Sequence, residues 1–191
     1  MTRGNIRPGG RTERVRQTVA ATVLQLIKSV GAEFSMLDVA ERSGIARSTI
    51  YARWPTKEAL MAEALTTHNS TFQVKMQPDW RAHLRTIAFA FRDFSSHPDE
   101  IAINGLIASL GPGFLNEETM RQWQSISYEM AAPLRTAQLA GEIRPEVDTM
   151  VVISTLFTTI SGLIVIAKDR PGDTYLEQLT NLLIRGCEIP G

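Results

Sequence analysis

Counted from Met36, the fifth, ninth and fifteenth residues are Ala40, Gly44 and Ile50, and few arrangements accept that spacing. Where two short helices are joined by a tight turn, the second crosses the first at the fifth residue, so that side chain must be small. The ninth residue sits in the turn with a positive φ, which glycine adopts at little cost. The fifteenth must be apolar to pin the second helix onto the first. Met36, Val39 and Ile45 supply further apolar contacts. This is the spacing of a helix-turn-helix, although other small helical hairpins can mimic it.

The rest of the chain is patterned for helices, with no convincing strand alternation. A first helix is expected from Thr12 to Val30, with Val15, Val19, Val23, Leu26, Ile27 and Val30 on one stripe and Gly31 ending it. Ser35 caps a short helix from Met36 to Ser43, and Asp38 stands where a capping box needs an acid. A second short helix runs from Arg47 to Trp54 and stops at Pro55; Thr56 caps a helix to Gln73. Further helices are expected from Pro78-Asp79 to Ser96 and from Pro98 to Gly111. After a Gly111-Pro112-Gly113 loop, a long helix runs from Asn116 to Ala140 with a kink at Pro133. An Asp148-capped apolar helix to Lys168 and an Asp173-capped helix to Gly186 complete the set. The fold class is all-α with about nine helices: an N-terminal three-helix helix-turn-helix domain and a larger helical domain. The domain limits are a flexible basic arm over 1–10, a helix-turn-helix domain over 11–56, and a second domain over 57–191, with helix 57–73 connecting the two.

Charge is segregated. Net charge is zero, but residues 1–58 carry ten Lys or Arg against five acids, and the remaining 133 carry ten against fifteen. A basic first third beside an acidic remainder points to a polyanion met by the first third alone. One cysteine, Cys187, cannot form an internal disulfide. The basic start has no apolar stretch behind it of the kind a secretion signal needs. Val151–Ala167 is apolar, yet short for a membrane span and interrupted by Ser and Thr, so a buried helix is expected there and no membrane partner. His68, His83 and His97 lack metal-ligand spacing, and there is no phosphate loop or nucleophile elbow. Neither an enzyme, nor a metal site, nor a cofactor is expected.

The segment RSTIYARWPTKEAL, with Thr49, Ile50, Tyr51, Trp54, Pro55, Lys57 and Glu58, resembles the recognition-helix signature of the tetracycline-repressor (TetR) family. FSMLDVAERSGI resembles the family's preceding helix and turn, and GEIRPEVD, residues 141–148, a common family linker. Residues 10–65 carry the specific part of the match. Two departures stand out. Ala46 occupies the position where the family usually has a capping Ser or Thr, which costs roughly 1 kcal/mol of helix stability. Arg47 and Ser48 replace the common basic residue and glycine.

The second helix of such a motif lies in the major groove with its N-terminal part toward base edges. Arg47, Ser48, Thr49 and Arg53 are therefore the candidates for base or phosphate contacts. The resemblance makes Tyr51 a phosphate contact through its hydroxyl. Lys57, in the first turn of the helix after Pro55, is a candidate phosphate clamp, and Ser35 a further one at its own helix start. Arg11, Arg14 and Arg16 can add phosphate or minor-groove contacts. Trp54 is expected in the small core.

The resemblance implies a cytoplasmic transcription regulator, a repressor acting as a homodimer on a palindromic operator and released by a small molecule. Ser154, Thr158 and Gly162 on the apolar helix, with Leu176, Leu179 and Leu183 on the last, are the expected dimer interface. Phe89, Asn104, Trp123, Tyr128 and Phe157 are the expected ligand-binding residues, for a small, mainly apolar and roughly neutral ligand. Two other readings share the sequence: a DNA-binding regulator whose second domain only dimerises or binds a protein, and a membrane-associated helical protein resting on Val151–Ala167.

Overall fold

The computed structural model describes residues 10–109 and 117–189. Nearly all of the expected basic arm, the Gly111-Pro112-Gly113 loop and the expected helix start at Asn116 lie outside those residues. Among the described residues there are ten α-helices and no strand beyond an isolated bridge between Ile143 and Glu188. The described residues fall into two compact units, 10–71 with 106–109 and 117–119, and 72–105 with 120–189.

The first unit contains α1 (Gly10–Val30), a 3₁₀ turn (Gly31–Glu33), α2 (Met36–Ser43), α3 (Arg47–Arg53) and α4 (Lys57–Asn69). Its core is the expected stripe of α1, with Val19, Val23, Leu26 and Ile27 buried together with Phe34, Val39, Ile50, Trp54, Leu60, Met61 and Leu65. Val30, at the end of that stripe, is 45% exposed. α4 packs mainly on α1 and belongs to this unit, whereas the sequence treats it as a connector beginning a second domain.

The second unit contains α5 (Trp80–Ser95), most of α6 (Pro98–Ser109) and of α7 (Glu117–Met130), and all of α8 (Ala132–Leu139), α9 (Thr149–Ser161) and α10 (Asp173–Cys187). The long helix expected over 116–140 is broken at Ala131. Pro133 has no N–H for the carbonyl four residues back, and its ring crowds that carbonyl, so a new helix starts at Ala132, with Ala131 between it and Met130. The apolar helix also ends early. Gly162–Ile166 winds as a π-helical turn, with the Ala167 N–H bonded to the Gly162 carbonyl at 3.1 Å, and Lys168 takes a φ of 57°. Thr149–Ile166 is long and apolar enough by composition to cross a membrane, yet Val152, Ile153, Leu156, Phe157, Ile160 and Ile164 are buried in this unit's core.

Asp173 was expected as the cap of the last helix. The cap is Gly172, without a side-chain bond, and the Asp173 carboxylate instead accepts from Arg92 of α5. The 141–148 linker is tied down by Gln138, whose Nε2 donates to the carbonyls of Arg144 (2.9 Å) and Val147 (2.8 Å). Cys187, at the end of α10, is buried, and burial pushes its thiol pKa up, away from reactivity.

Candidate nucleic-acid interface

α2 begins as the sequence requires. The Ser35 hydroxyl accepts from the Asp38 N–H at 3.2 Å, and Asp38 Oδ2 accepts from the Ser35 N–H at 2.7 Å, closing a capping box. The Ser35 hydroxyl also donates to the same oxygen at 2.7 Å. These bonds hold the Asp38 carboxyl below its usual pKa. Gly44 ends α2 in the left-handed region at φ 68°, and its N–H bonds to the Ala40 carbonyl. α3 then starts at Arg47 after Ala46, which stands at φ −53° and ψ 132° and gives no side-chain cap.

Ile50 is the one buried residue of α3 and is completely inaccessible. Burying such a side chain contributes about 1.5–3 kcal/mol, enough to fix one face of a two-turn helix. Every other side chain of α3 is exposed: Arg47, Ser48, Thr49, Tyr51, Ala52 and Arg53. The Arg47 guanidinium lies 5.4 Å from the centroid of the Tyr51 ring, and Tyr51 is 41% exposed. Thr12 and Val15 of α1 join Ser48, Thr49, Ala52 and Arg53 in lining an open groove of about 740 Å³. Thr12 and Ala52 were not anticipated, because nothing in the sequence shows that the start of α1 approaches α3.

Several basic residues have partners inside the unit. Arg53 donates from Nη1 to the Thr12 carbonyl at 3.2 Å and lies 5.7 Å from the Trp54 ring. Lys57 donates to the Ala32 carbonyl and sits 4.6 Å from the centroid of Phe34. Arg16 pairs with Glu63 of α4 and with Glu13, and its pKa is raised by the Glu63 bond. Trp54 is 3% exposed and belongs to the core, as expected. Thr56 caps α4, accepting from the Ala59 N–H at 3.1 Å.

This geometry, a short helix pinned by one buried residue with its outer face wholly open, matches known proteins. Residues 21–64 match the family described as bacterial regulatory proteins, tetR family. An HTH-type transcriptional regulator of Mycobacterium bovis is 28% identical over 137 residues, covering 69% of this chain and 72% of its own. The solved TetR family transcription regulator SCO0332 is 25% identical, with a TM-score of 0.67 over 93% of this chain and all of its own. Residues 21–64 carry the match to the tetR family, and the chain is similar to regulators of that family over most of its length. It is a DNA-binding transcriptional regulator. Its fold is also that of a TetR regulator from Agrobacterium tumefaciens, 13% identical with a TM-score of 0.72 over 92% of this chain and 95% of that one. The flavonoid-responsive regulator FrrA is 21% identical, with a TM-score of 0.72 over 94% of this chain and all of its own.

In the second unit the residues expected at a tetR-family ligand site are dispersed. Phe157 is buried and stacked on Phe91, with centroids 4.2 Å apart. Phe89 lies under the Arg92 guanidinium at 5.1 Å, and Trp123 packs half-buried against the core. Asn104 donates back to the Glu100 carbonyl one turn earlier at 2.9 Å. Tyr128 is 58% exposed, with the Arg135 guanidinium 3.7 Å from its ring centroid. None of the five lines the groove of this unit that is bounded by Phe72, Gln73, Val74, Met76, Glu129, Met130 and Ala132.

The expected dimer residues also separate. Ser154 and Thr158 are exposed and Gly162 is half-buried in the π-helical turn. Leu176, by contrast, is completely buried in its own subunit, and Leu179 and Leu183 lean on the same core. Leu176 is therefore a core residue. The outward row of α10 is Tyr175, Gln178 and Leu182, with Leu182 69% exposed; on α9, Val151 is 57% exposed.

Proposed function

We propose that the protein represses transcription as a homodimer, each subunit placing α3 in the major groove of one half of a palindromic operator, and that a small molecule bound to the second unit releases it. The observation that carries the DNA half is α3 itself: one buried residue, Ile50, and an outer face of Arg47, Ser48, Thr49 and Tyr51 open to solvent. Arg47 and the two hydroxyls read base edges, and the Tyr51 hydroxyl meets a phosphate. Arg53 and Lys57 position the motif, since each already has a backbone carbonyl as partner. Ser35, whose hydroxyl proton goes to Asp38, serves the start of α2 first and meets a phosphate only by redirecting that proton.

Dimerisation uses the outward faces of α9 and α10, where Val151, Ser154, Thr158, Tyr175 and Leu182 leave an apolar and small-residue surface without a partner. Two copies set two recognition helices against successive turns of a palindrome. Ligand release is a shift between dimer states of differing affinity for DNA; support comes from the shared fold with a regulator named for its response to flavonoids. No catalytic role is assigned, and the site of action is the cytoplasm, where the DNA lies.

The test is fluorescence anisotropy of the purified chain on DNA fragments, starting with the region upstream of its own gene, in competition with unrelated DNA and across a salt series. Arg47→Ala and Tyr51→Ala should each weaken specific binding at least about tenfold, as one bidentate base contact is worth about 1–3 kcal/mol. Binding that neither variant changes, on any selected genomic fragment, would overturn the reading.

A further inference from the structure

We infer that the groove between residues 72–77 and the α7–α8 junction is a binding site for a small organic cation with an apolar body; the inference rests on the ligand-sensing reading above. The groove holds about 480 Å³, within the usual range for small-molecule sites. Its walls carry Phe72, Val74, Met76 and Met130, and Met76 is 43% exposed with nothing apolar to cover it. Methionine suits a surface that must fit an aromatic or aliphatic body. The small side chain of Ala132 leaves the space between the walls open.

Charge decides the class of ligand. Glu129 lines the groove, is exposed, and has no hydrogen bond or ion pair among the described residues. A nearby cation in sequence, Arg135, is turned elsewhere: its Nη1 donates to the Tyr128 carbonyl at 2.8 Å and its guanidinium covers the Tyr128 ring. An anionic ligand would meet this carboxylate, since Lys75 of the same segment does not line the groove, and a neutral one would gain at most a hydrogen bond from it. An ammonium gains both the carboxylate and the apolar walls, with the Gln73 amide as a further acceptor.

The walls are held in place independently of any ligand. Buried His83 of α5 bridges them, accepting at Nδ1 from the Gln77 N–H (3.3 Å) and donating from Nε2 to the Met130 carbonyl (3.1 Å). Phe72 is locked in a ring cluster with Phe94 at 5.1 Å and Phe91 at 5.6 Å. The break at Ala131 turns Met130 and Ala132 onto this face. A site with fixed walls and one unsatisfied charge is preorganised for binding. Its first wall is the chain segment that follows α4 directly.

The experiment is calorimetric titration of the full chain with three probes sharing one apolar body: phenylbutylamine, phenylbutanol and phenylbutyrate. The ammonium should bind about five- to tenfold more tightly than the alcohol, as expected for one partly exposed ion pair, and the carboxylate more weakly than both. Glu129→Gln should bring the ammonium to the affinity of the alcohol and leave the alcohol unchanged. Ala132→Trp should abolish binding of all three; Met76→Ala, at an exposed position, should weaken amine and alcohol together and stands in if the tryptophan variant does not fold. Equal binding of amine and carboxylate, or no effect of Glu129→Gln, overturns the inference. Operator release is read in parallel. Binding that responds to Glu129→Gln without release supports the groove and counts against sensing. Release that ignores Glu129→Gln and Ala132→Trp supports sensing and overturns the groove.

Discussion

The Lys57 ammonium lies 4.6 Å from the centroid of the Phe34 ring, and its Nζ donates to the carbonyl of Ala32, just before that ring in the chain. The contact joins the first turn of α4 to the turn that leads into α2. A lysine so placed acts on the shape of the motif before it acts on DNA. Lys57→Gln should lower unfolding free energy by about 1 kcal/mol, the worth of a cation–π contact with a hydrogen bond. It should weaken operator binding without changing how that binding depends on salt. A lysine touching a phosphate would instead reduce the salt slope by about 0.9. Affinity measured over a salt series separates the two, and a reduced slope would restore the clamp role expected from the sequence.

Ala46 leaves α3 uncapped, and its ψ of 132° already lies outside the helical region, as a cap residue's should. Ala46→Ser should therefore stabilise the chain by about 1 kcal/mol, read as a rise in the urea midpoint with an unchanged m-value. A fall in stability would mean that the serine hydroxyl finds no N–H of α3 to accept from.

Gly44 tests the turn. A Cβ at this position would meet nothing within 4 Å, so sterics with neighbours do not forbid a side chain. The φ of 68° does the discriminating. Gly44→Ala should cost about 1–2 kcal/mol and Gly44→Asn less, because asparagine tolerates the left-handed region better. Equal losses in equilibrium unfolding would place the cost elsewhere.

What was legible in the sequence was local. Ser35, Asp38 and Gly44 announce both ends of α2, and Ile50 announces the pin under α3, since caps, turns and periodicity act within a few residues. Long-range relations were not legible. Tyr175, Leu182 and Leu176, Leu179, Leu183 form neighbouring apolar rows on α10, and periodicity cannot say which one its own core takes. Pro133 signalled a kink; whether its missing N–H and ring bend the helix or end it at Ala131 is not set by sequence pattern. The 72–77 segment is irregular, so no pattern marks the groove it walls.

Leu182 and Leu176 give opposite outcomes for a shared residue type. Leu182→Asp places a charge on the outward face of α10 and should shift the chain from dimer to monomer in sedimentation equilibrium while leaving its thermal unfolding as a monomer near normal. Leu176→Ala should keep the interface face intact but cost about 2–5 kcal/mol of stability through lost burial and a cavity. Dimerisation unaffected by Leu182→Asp would move the interface off α10.

His83 sets a pH dependence whose sign is fixed by its surroundings. It is fully buried, and burial lowers its pKa below the usual 6.5, with the Met130 carbonyl bond acting in the opposite direction. The Nδ1 atom accepts from Gln77, so protonation there removes a bond and buries a charge. Below pH 6.5 the unfolded chain binds a proton that the folded chain refuses, and stability must fall as pH drops through that point toward the lower folded pKa. The slope is at most about 1.4 kcal/mol per pH unit. Above that window the group is neutral in both states and contributes no slope. Asp38 acts in the same direction only as pH falls below its unperturbed 3.8, outside the window. Urea midpoints measured between about pH 5 and pH 8 should therefore decline on the acid side in the native chain, and His83→Gln should flatten that decline while lowering stability throughout. A decline that survives His83→Gln would assign it to other groups.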